Sequence, residues 1–271
     1  MGRLPLHGAT VVDPHVHLCK YGREKQTFAQ VADALLVSMR EHHVAVSFVC
    51  PDSERGTSVA DMETYLALAE GRSGLRVYGT AQLPGPEPEL LGRLEALARE
   101  GAIIGLKLYP GFEPVYPSDP TCHALYELAQ RYGLPVLLHS GETMGETWRE
   151  KYNSPAETAA LAAPFPALSV IVAHFGQPHI AECREVLLAY ENVYADVSGL
   201  ADQGVMAACG TEAIASVLRE VTLRRPEKVL FATDWPLCSV RDHMRLIESL
   251  NLSPGARELL LGGNAVRLFG L

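Results

Sequence analysis

The stretch VVDPHVHL, residues 11–18, places two histidines two positions apart in an apolar, β-branched run. Such a run is too short for a buried helix and is typical of a strand. Residues two apart on a strand point to the same face, so His15 and His17 can serve one site, with Asp13 beneath them. Seven similar runs follow, and the full set covers residues 9–18, 44–50, 75–83, 103–110, 134–141, 168–176, 192–199 and 228–236.

Segments with helical periodicity separate these runs. They place apolar residues at i, i+3, i+4 and i+7, and Gly71, Gly101 and Gly133 follow three of them at or near the end. Repeated strand–helix units predict a parallel sheet covered by helices. No linker or change of composition divides the chain, so we expect one domain over residues 1–271. The predicted helices cover residues 31–43, 60–70, 89–100, 123–133, 180–191 and 212–223.

Polar residues at the ends of four runs decide how the sheet is arranged. His139 ends the fifth run, His174 the sixth and Asp234 the eighth. In an open sheet with about 4.8 Å between strands, the first and eighth runs would lie too far apart to share a site. Closure makes them neighbours, which predicts an α/β fold of the (β/α)8 TIM-barrel type. Active sites of such barrels lie at the carboxyl ends of the strands, where these residues fall.

The residue types at these strand ends predict a metal site. Neutral imidazole suits zinc, manganese or iron, and a carboxylate tolerates all three. A lone His-x-His pair or a single histidine before a glycine is a weak signal, since packing explains most of them. Their joint occurrence on the first, fifth, sixth and eighth strands favours a catalytic site with a position left for water.

With these residues in place, the chain resembles the amidohydrolase superfamily, and looks closest to its amidohydrolase 2 group, which also holds non-oxidative decarboxylases. The resemblance implies that His15 and His17 bind metal and that His139 is a third ligand. It implies that Asp234 is a further ligand and proton acceptor, and that His174 binds a second metal or polarises the substrate. The matching stretches are VVDPHVHL, IGLKLYPGFEPVYPSDP, LPVLLHSGE, VIVAHFGQP, NVYADVSGL, LFATDWPL and GGNAVRLFGL.

Lys107 lies near the end of the fourth strand, in GAIIGLKLYPG. Burying an unpaired ammonium is costly, which favours a partner or a modification. Binuclear members of the superfamily that this chain resembles carboxylate a lysine here to bridge two metals. In that arrangement one metal would be held by His15, His17 and Asp234, and the other by His139 and His174.

The alternative is one metal and an unmodified Lys107. The lysine could then pair with Asp13 or Asp234, or hold a substrate anion. Zinc is the expected ion, with manganese or iron as alternatives, and the sequence leaves one or two ions open with a slight preference for one.

The expected chemistry is metal-assisted hydrolysis of a small polar substrate, in which Asp234, His174 and Lys107 are the candidate catalytic residues. An amide, lactone, cyclic imide or carbamoyl bond would suit it. The alternatives are a non-oxidative decarboxylase and, from another class, a metal-binding barrel without turnover. The sequence has no Gly-x-Ser-x-Gly elbow and no Gly-rich nucleotide loop, which disfavours serine hydrolases and nucleotide cofactors.

Loops after the fourth and fifth strands offer Tyr109, Glu142, Arg149 and Lys151 as substrate contacts. Arg149 or Lys151 could clamp a carboxylate, although a solvated loop charge is a slightly better explanation for each residue alone. On the seventh strand, Asp196 would face inward with Ser198 and could support a ligand or serve the structure. Cys19, Cys50 and Cys238 follow adjacent strands near the expected mouth.

The amino-acid composition limits the classes of partner that the protein is expected to bind. The chain has 23 basic and 32 acidic residues, a net charge of −9. Such an acidic protein is not expected to bind nucleic acid or an anionic membrane surface. With scattered cysteines, no secretory leader and no apolar run near the ~20 residues of a membrane span, we expect a cytoplasmic protein. A small-molecule substrate is the expected partner, and a homo-oligomer stays open.

Overall fold

The computed structural model describes residues 10–53, 58–143 and 145–271. The first nine residues of the expected domain, including Ala9 of the first predicted strand, lie outside this description. Along the described residues the strands are β1 (Val11–Val16), β2 (Val44–Val49), β3 (Leu75–Val77), β4 (Gly79–Thr80), β5 (Leu106–Leu108), β6 (Val136–Leu138), β7 (Val170–Val172), β8 (Val193–Asp196) and β9 (Val229–Leu230).

Helices follow nearly every strand. The α-helices are α1 (Phe28–Glu41), α2 (Met62–Ala69), α3 (Pro88–Glu100), α4 (His123–Tyr132), α5 (Pro155–Ala162), α6 (Ile180–Ala189), α7 (Gln203–Cys209), α8 (Thr211–Arg224), α9 (Val240–Ser249), α10 (Pro254–Glu258) and α11 (Asn264–Phe269). Short 3₁₀ turns occupy Pro120–Cys122, Thr147–Tyr152 and Ala173–Gly176, and a π turn occupies Leu259–Gly263.

All strands pair in parallel with their neighbours in chain order. They form a three-stranded sheet, β1-β2-β3, and a six-stranded sheet, β4 to β9. β3 and β4 are the two halves of the predicted third strand. At their junction, Tyr78 N donates to Val49 O at 3.1 Å, whereas Gly79 N donates to Gly105 O at 2.9 Å. The chain therefore passes from one sheet to the other within a single strand.

The first strand meets the segment that follows β9. Val16 bridges to Trp235 in parallel. Asp234 N donates to the His15 carbonyl at 2.9 Å, and His17 N donates to the Trp235 carbonyl at 2.7 Å. Asp13 adds side-chain bonds, because it accepts from the backbone and hydroxyl of Thr233 at 3.1 and 2.7 Å. These contacts close the predicted barrel and set His15 and His17 beside Asp234.

The barrel has an inner and an outer core, as alternation along its strands requires. Val46, Phe48 and Cys50 belong to the inner cluster with Tyr78 and with Phe269 of α11. Val44 and Val49 belong to the larger cluster that also contains buried helix residues. The barrel is thus filled with side chains, and the polar groups lie near the carboxyl ends of the strands.

The six predicted helices are present, with ends shifted by up to three residues. Gly101 and Gly133 adopt left-handed φ values of 66° and 65° where α3 and α4 end, as expected for C-terminal glycines. In the described part of the chain, no helix combines the length and apolarity that a membrane crossing requires. All six cysteines are free.

Candidate metal centre

His15 and His17 are held so that one nitrogen of each ring is left for another partner. The Nδ1 of His15 lies 2.8 Å from Asp196 Oδ2, and the Nδ1 of His17 lies 2.9 Å from the Cys50 carbonyl. Both acceptors fix a proton on Nδ1, so the Nε2 lone pair of each ring remains available. This is the usual arrangement of metal-binding histidines.

Asp234 brings a carboxylate to the same point. Its Oδ1 lies 3.4 Å from His17 Nε2 and 3.9 Å from His15 Nε2. Asp234 has a φ of 66°, a left-handed conformation that aspartate tolerates better than most residues. Metal–ligand bonds of about 2.0–2.2 Å place tetrahedral ligands about 3.3 Å apart, so Asp234 Oδ1 lies close to the distance from each Nε2 atom that a shared ion requires. The donors are two imidazoles and a carboxylate, which fit a divalent metal.

Asp196 orients two of the histidines. Its Oδ2 accepts from His15, and its Oδ1 accepts from the His174 backbone N–H at 3.0 Å. Ser198 adds its N–H at 3.1 Å and its hydroxyl at 2.5 Å to the same oxygen. Of the two roles that the sequence left open for Asp196, support of a ligand is the one these contacts favour.

We expect Asp196→Asn to weaken metal binding by about 10- to 100-fold, the usual cost of losing an outer-shell partner. The amide keeps the shape but carries an NH₂ group where the carboxylate accepts hydrogen bonds. Competitive titration of the metal-free protein with zinc measures the change. Asp242→Asn, on the exposed face of α9, is the matched control and should bind zinc as wild type does. Unchanged affinity in folded Asp196→Asn would contradict this role.

His139 and His174 extend the row of imidazoles. The His174 ring centroid lies 5.0 Å from that of His15 and 5.3 Å from that of His139. His139 Nε2 lies 3.1 Å from the Glu142 carbonyl, and His174 Nδ1 lies 2.8 Å from the Ser198 hydroxyl. His139 Nδ1 and His174 Nε2 therefore remain for a substrate or an ion.

Lys107 lies among the four histidines. Its side chain is fully buried, and its Nζ lies 3.5 Å from His15 Nε2 and 5.0 Å from the centre of the Tyr109 ring. The expected pairing with Asp13 or Asp234 is not formed, because within the described ranges no carboxylate oxygen comes within 4.0 Å of Nζ. Burial lowers the pKa of Lys107, which makes its neutral amine easier to reach.

Burial determines the protonation states of the four histidines and of Asp234. It lowers the pKa of His17 to about 3, and holds the pKa values of His15, His139 and His174 well below the usual range. The positive charge of Lys107 lowers all four pKa values further. Burial acts in the opposite direction on Asp234 and raises its pKa. At neutral pH the rings are therefore neutral, the form that binds metal.

The metal-free protein should lose stability as the pH falls below about 6.5, the ordinary histidine pKa. Below this pH the histidines of the unfolded chain become protonated. In the folded chain His15, His17, His139 and His174 stay neutral, and so does buried His243, because burial lowers its pKa as well. Asp13 and Asp234 act oppositely, because their raised pKa values let the folded chain bind protons. The protons that the unfolded chain gains at five histidines outnumber those that the folded chain gains at two carboxyl groups, so the free energy of unfolding falls on acidification.

Urea unfolding of metal-free protein at pH 7.5, 6.5 and 5.5 measures this effect. Each extra proton taken up on unfolding lowers the free energy of unfolding by about 1.4 kcal/mol per pH unit. A free energy that stays constant or rises on acidification would contradict the neutral state of the buried rings.

A cavity of about 700 Å³ is lined by the four histidines, Lys107 and Asp234. Tyr109 and Glu142 line it, as predicted, and the Tyr109 hydroxyl donates to the Pro51 carbonyl at 2.6 Å. Phe112, Glu113 and Asp202 also line it, and the sequence did not single out the last two. Glu113 accepts from the Ser53 hydroxyl at 2.8 Å and from Leu83 N at 2.9 Å, so it also links three loops.

Arg149 and Lys151 are not brought to this cavity. The loop folds into the 3₁₀ turn Thr147–Tyr152, where Arg149 pairs with Glu146 and donates to the Phe112 carbonyl at 2.7 Å. Lys151 is exposed, with its Nζ 4.8 Å from the centre of the Tyr152 ring. The local contacts of Arg149 and Lys151 therefore favour the solvated-charge interpretation over the carboxylate clamp. Cys19 and Cys238 line the cavity, whereas Cys50 is not among the residues that line it.

Comparisons with known proteins give one family and a consistent set of folds. The Amidohydro_2 family model, described as amidohydrolase, matches residues 12–271. The gamma-resorcylate decarboxylase of Polaromonas sp. JS666 is 22% identical over 84% of this chain and 80% of its own length. A shorter match to the cyanate hydratase of Parasynechococcus marenigrum, 36% identical, covers 30% of this chain and 57% of that protein.

Solved structures with the same fold cover nearly the whole chain. The TIM-barrel protein Bb4693 of Bordetella bronchiseptica has a TM-score of 0.76 at 17% identity, covering 96% of this chain and 98% of its own. A dihydroxybenzoic acid decarboxylase of Polaromonas sp. JS666, with manganese and the inhibitor 2-nitroresorcinol, has a TM-score of 0.68 at 18% identity and 97% coverage of each chain. A probable 2-pyrone-4,6-dicarboxylic acid hydrolase of Acinetobacter baumannii also scores 0.68, at 15% identity, covering 97% of this chain and 100% of its own.

Proposed function

This chain belongs to the amidohydrolase family, whose members are metal-dependent enzymes acting on small molecules, and on that premise we propose that it is a metal-dependent hydrolase. The substrate is a small polar molecule with an amide, lactone, cyclic imide or carbamoyl bond. His15, His17 and Asp234 would hold one divalent ion, and His139 and His174 would face the substrate.

The observation that carries this proposal is the position of Asp234. Its carboxylate lies within 4 Å of both free Nε2 atoms, and its side chain is 14% exposed at the floor of the cavity. Because burial raises its pKa, this carboxylate can take up a proton near neutral pH. A proton acceptor beside an ion is what hydrolysis by activated water requires.

When bound, the ion lowers the pKa of coordinated water from about 15.7 toward about 7. Asp234 takes the proton of the attacking water at Oδ1 and later delivers it to the leaving group. His174, held by Ser198 and by the bond from its own N–H to Asp196, would present its unprotonated Nε2 to the substrate, where it can accept a hydrogen bond from a substrate N–H or O–H or bind a second ion. Lys107 Nζ lies 3.5 Å from His15 Nε2, where it would supply positive charge when protonated, or would help to hold a second ion if carboxylated.

Decarboxylation is the second candidate. It is favoured by the decarboxylase from Polaromonas, which aligns with 84% of this chain. The same cluster could hold a substrate carboxylate through the ion, with Asp234 supplying the proton that replaces carbon dioxide.

The two reactions are separated by assaying metal-loaded protein against two panels. Aromatic and aliphatic acids are tested for release of carbon dioxide, and amides, lactones and cyclic imides for consumption of water. We expect turnover in the second panel and loss of that turnover on chelation. Turnover confined to the acids would replace hydrolysis by decarboxylation, and metal binding with turnover in neither panel would favour a non-catalytic barrel.

A further inference from the structure

Asn153 places a buried amide between two loops that border the cavity. It directly follows the 3₁₀ turn Thr147–Tyr152, and only 2% of its surface is exposed. Its Nδ2 donates to the Pro110 carbonyl at 3.3 Å, in the loop after β5, and to the Gly141 carbonyl at 3.0 Å, in the loop after β6. Its Oδ1 accepts from Gly141 N at 3.3 Å. With two carbonyls at one end and an N–H group at the other, the amide has one orientation that satisfies all three bonds.

The loop after β5 is shaped to receive this amide. Gly111 has a φ of 94°, and a Cβ atom at this position would lie 2.3 Å from Asn153 Nδ2. Any other residue here would push the amide away from the Pro110 carbonyl. The next residue, Phe112, lines the cavity, and its ring centroid lies 4.7 Å from that of His139. The amide therefore fixes the backbone that carries Phe112.

On its other side, Asn153 holds the two residues that follow His139. Its carbonyl accepts from the Ser140 hydroxyl at 2.6 Å, and its side-chain amide makes both bonds to Gly141. The carbonyl of the next residue, Glu142, lies 3.1 Å from His139 Nε2. A carbonyl can only accept a hydrogen bond, so this contact keeps the proton of the neutral ring on Nε2 and leaves Nδ1 unprotonated.

We propose that Asn153 is a positioning residue for the substrate side of the site. It determines the tautomer and the orientation of His139 through the Glu142 carbonyl, and it places Phe112 beside the same ring. The unprotonated Nδ1 of His139 can then accept a hydrogen bond from a substrate N–H or O–H. This inference rests on the proposed function in one respect, that His139 faces the substrate.

Nitrogen-15 NMR of the zinc-loaded full-length chain, labelled at histidine, tests the proposal. The protonated and unprotonated nitrogens of a neutral imidazole differ in chemical shift, so the spectrum at neutral pH reports the tautomer of each ring. His139→Gln identifies the His139 signals by their absence. We expect His139 to carry its proton on Nε2 in the wild type.

Asn153→Asp should change these signals. A carboxylate cannot donate to the Pro110 and Gly141 carbonyls, and its charge repels both of them. The segment 140–142 then loses its support, so we expect the His139 nitrogen shifts to move toward a mixture of the two tautomers. Zinc content should stay that of the wild type, because His15, His17 and Asp234 are unchanged.

Asn192→Asp is the matched control. Asn192 lies just before β8 and does not line the cavity. Its Nδ2 donates at 3.0 to 3.1 Å to three carbonyls, those of Ala162, Phe165 and Leu168. This variant loses a comparable set of bonds and should also unfold at lower urea concentration, but its His139 signals should match those of the wild type. Equal shifts of the His139 signals in both variants would reduce Asn153 to a residue that serves only stability, and would overturn the proposal.

Turnover provides the second readout, on the substrate that the two assay panels identify. We expect Asn153→Asp to lower kcat/KM by about 10- to 100-fold, the usual cost of losing an outer-shell partner, and Asn192→Asp to retain the wild-type value.

A wild-type His139 with its proton on Nδ1 would overturn the proposal even if Asn153→Asp fails to fold. So would a folded Asn153→Asp protein with wild-type His139 signals. Absence of zinc binding or of turnover in the wild type would overturn the proposed function instead, and the His139 signals would still decide whether Asn153 positions this ring.

Discussion

His17→Ala is expected to abolish metal binding and turnover together. The variant removes one of the two Nε2 donors that face Asp234 at 3.4 and 3.9 Å. Losing an outer-shell partner costs about 10- to 100-fold in metal affinity, and a direct ligand should cost at least about 100-fold. Activity should fall to that of chelated wild type, because no other group in the proposed mechanism activates water. Metal analysis after dialysis and a turnover assay measure both effects.

His179→Ala is the matched control for this variant. His179 lies just before α6, is exposed, and contacts Glu150 at 3.3 Å, outside the cavity that the metal-site residues line. It should retain wild-type metal content and turnover. A folded His17→Ala protein that keeps its metal would place the ion elsewhere and contradict the assignment.

Asp234→Asn is expected to lower kcat by about 10²- to 10⁴-fold, the usual contribution of a positioned acid–base group. The amide is close in size to the carboxylate but cannot take a proton from water at neutral pH. Because His15 and His17 remain, the variant should still bind metal. Parallel measurement of kcat and metal content separates the loss of a proton acceptor from the loss of a ligand.

Asp33→Asn serves as its control. Asp33 lies on α1 and pairs with Arg72 at 3.0 Å on the surface, so turnover should not change. Wild-type kcat in a metal-loaded Asp234→Asn protein would exclude Asp234 as the proton acceptor. Loss of metal and activity together would show that the carboxylate serves chiefly as a ligand.

The barrel and its strand-end residues were predictable because both follow from local pattern. A period of two sets His15 and His17 on one face, and barrel closure was needed only to bring Asp234 to them. The contacts of Asp234 N with the His15 carbonyl and of His17 N with the Trp235 carbonyl confirm that closure. Asp196 also gave a signal, as an aspartate on an otherwise apolar strand.

Contacts set by loop folding could not be predicted in the same way. Arg149 turns away from the cavity because a 3₁₀ turn brings it to Glu146 and the Phe112 carbonyl, and nothing in the loop sequence specifies that turn. Glu113 reaches the cavity from a loop whose path depends on bonds to Ser53 and Leu83. The helices α7 and α10 have seven and five residues, which is too short to give a clear helical period.

The central claim is that one ion binds between His15 and His17 beside Asp234. Anomalous diffraction from crystals of the metal-loaded protein, recorded at the absorption edge of the bound metal, tests it most directly. The account predicts a peak at about 2.0–2.1 Å from both Nε2 atoms. A metal-loaded crystal with no peak at this position, or with its ion bound only by other residues, would contradict it.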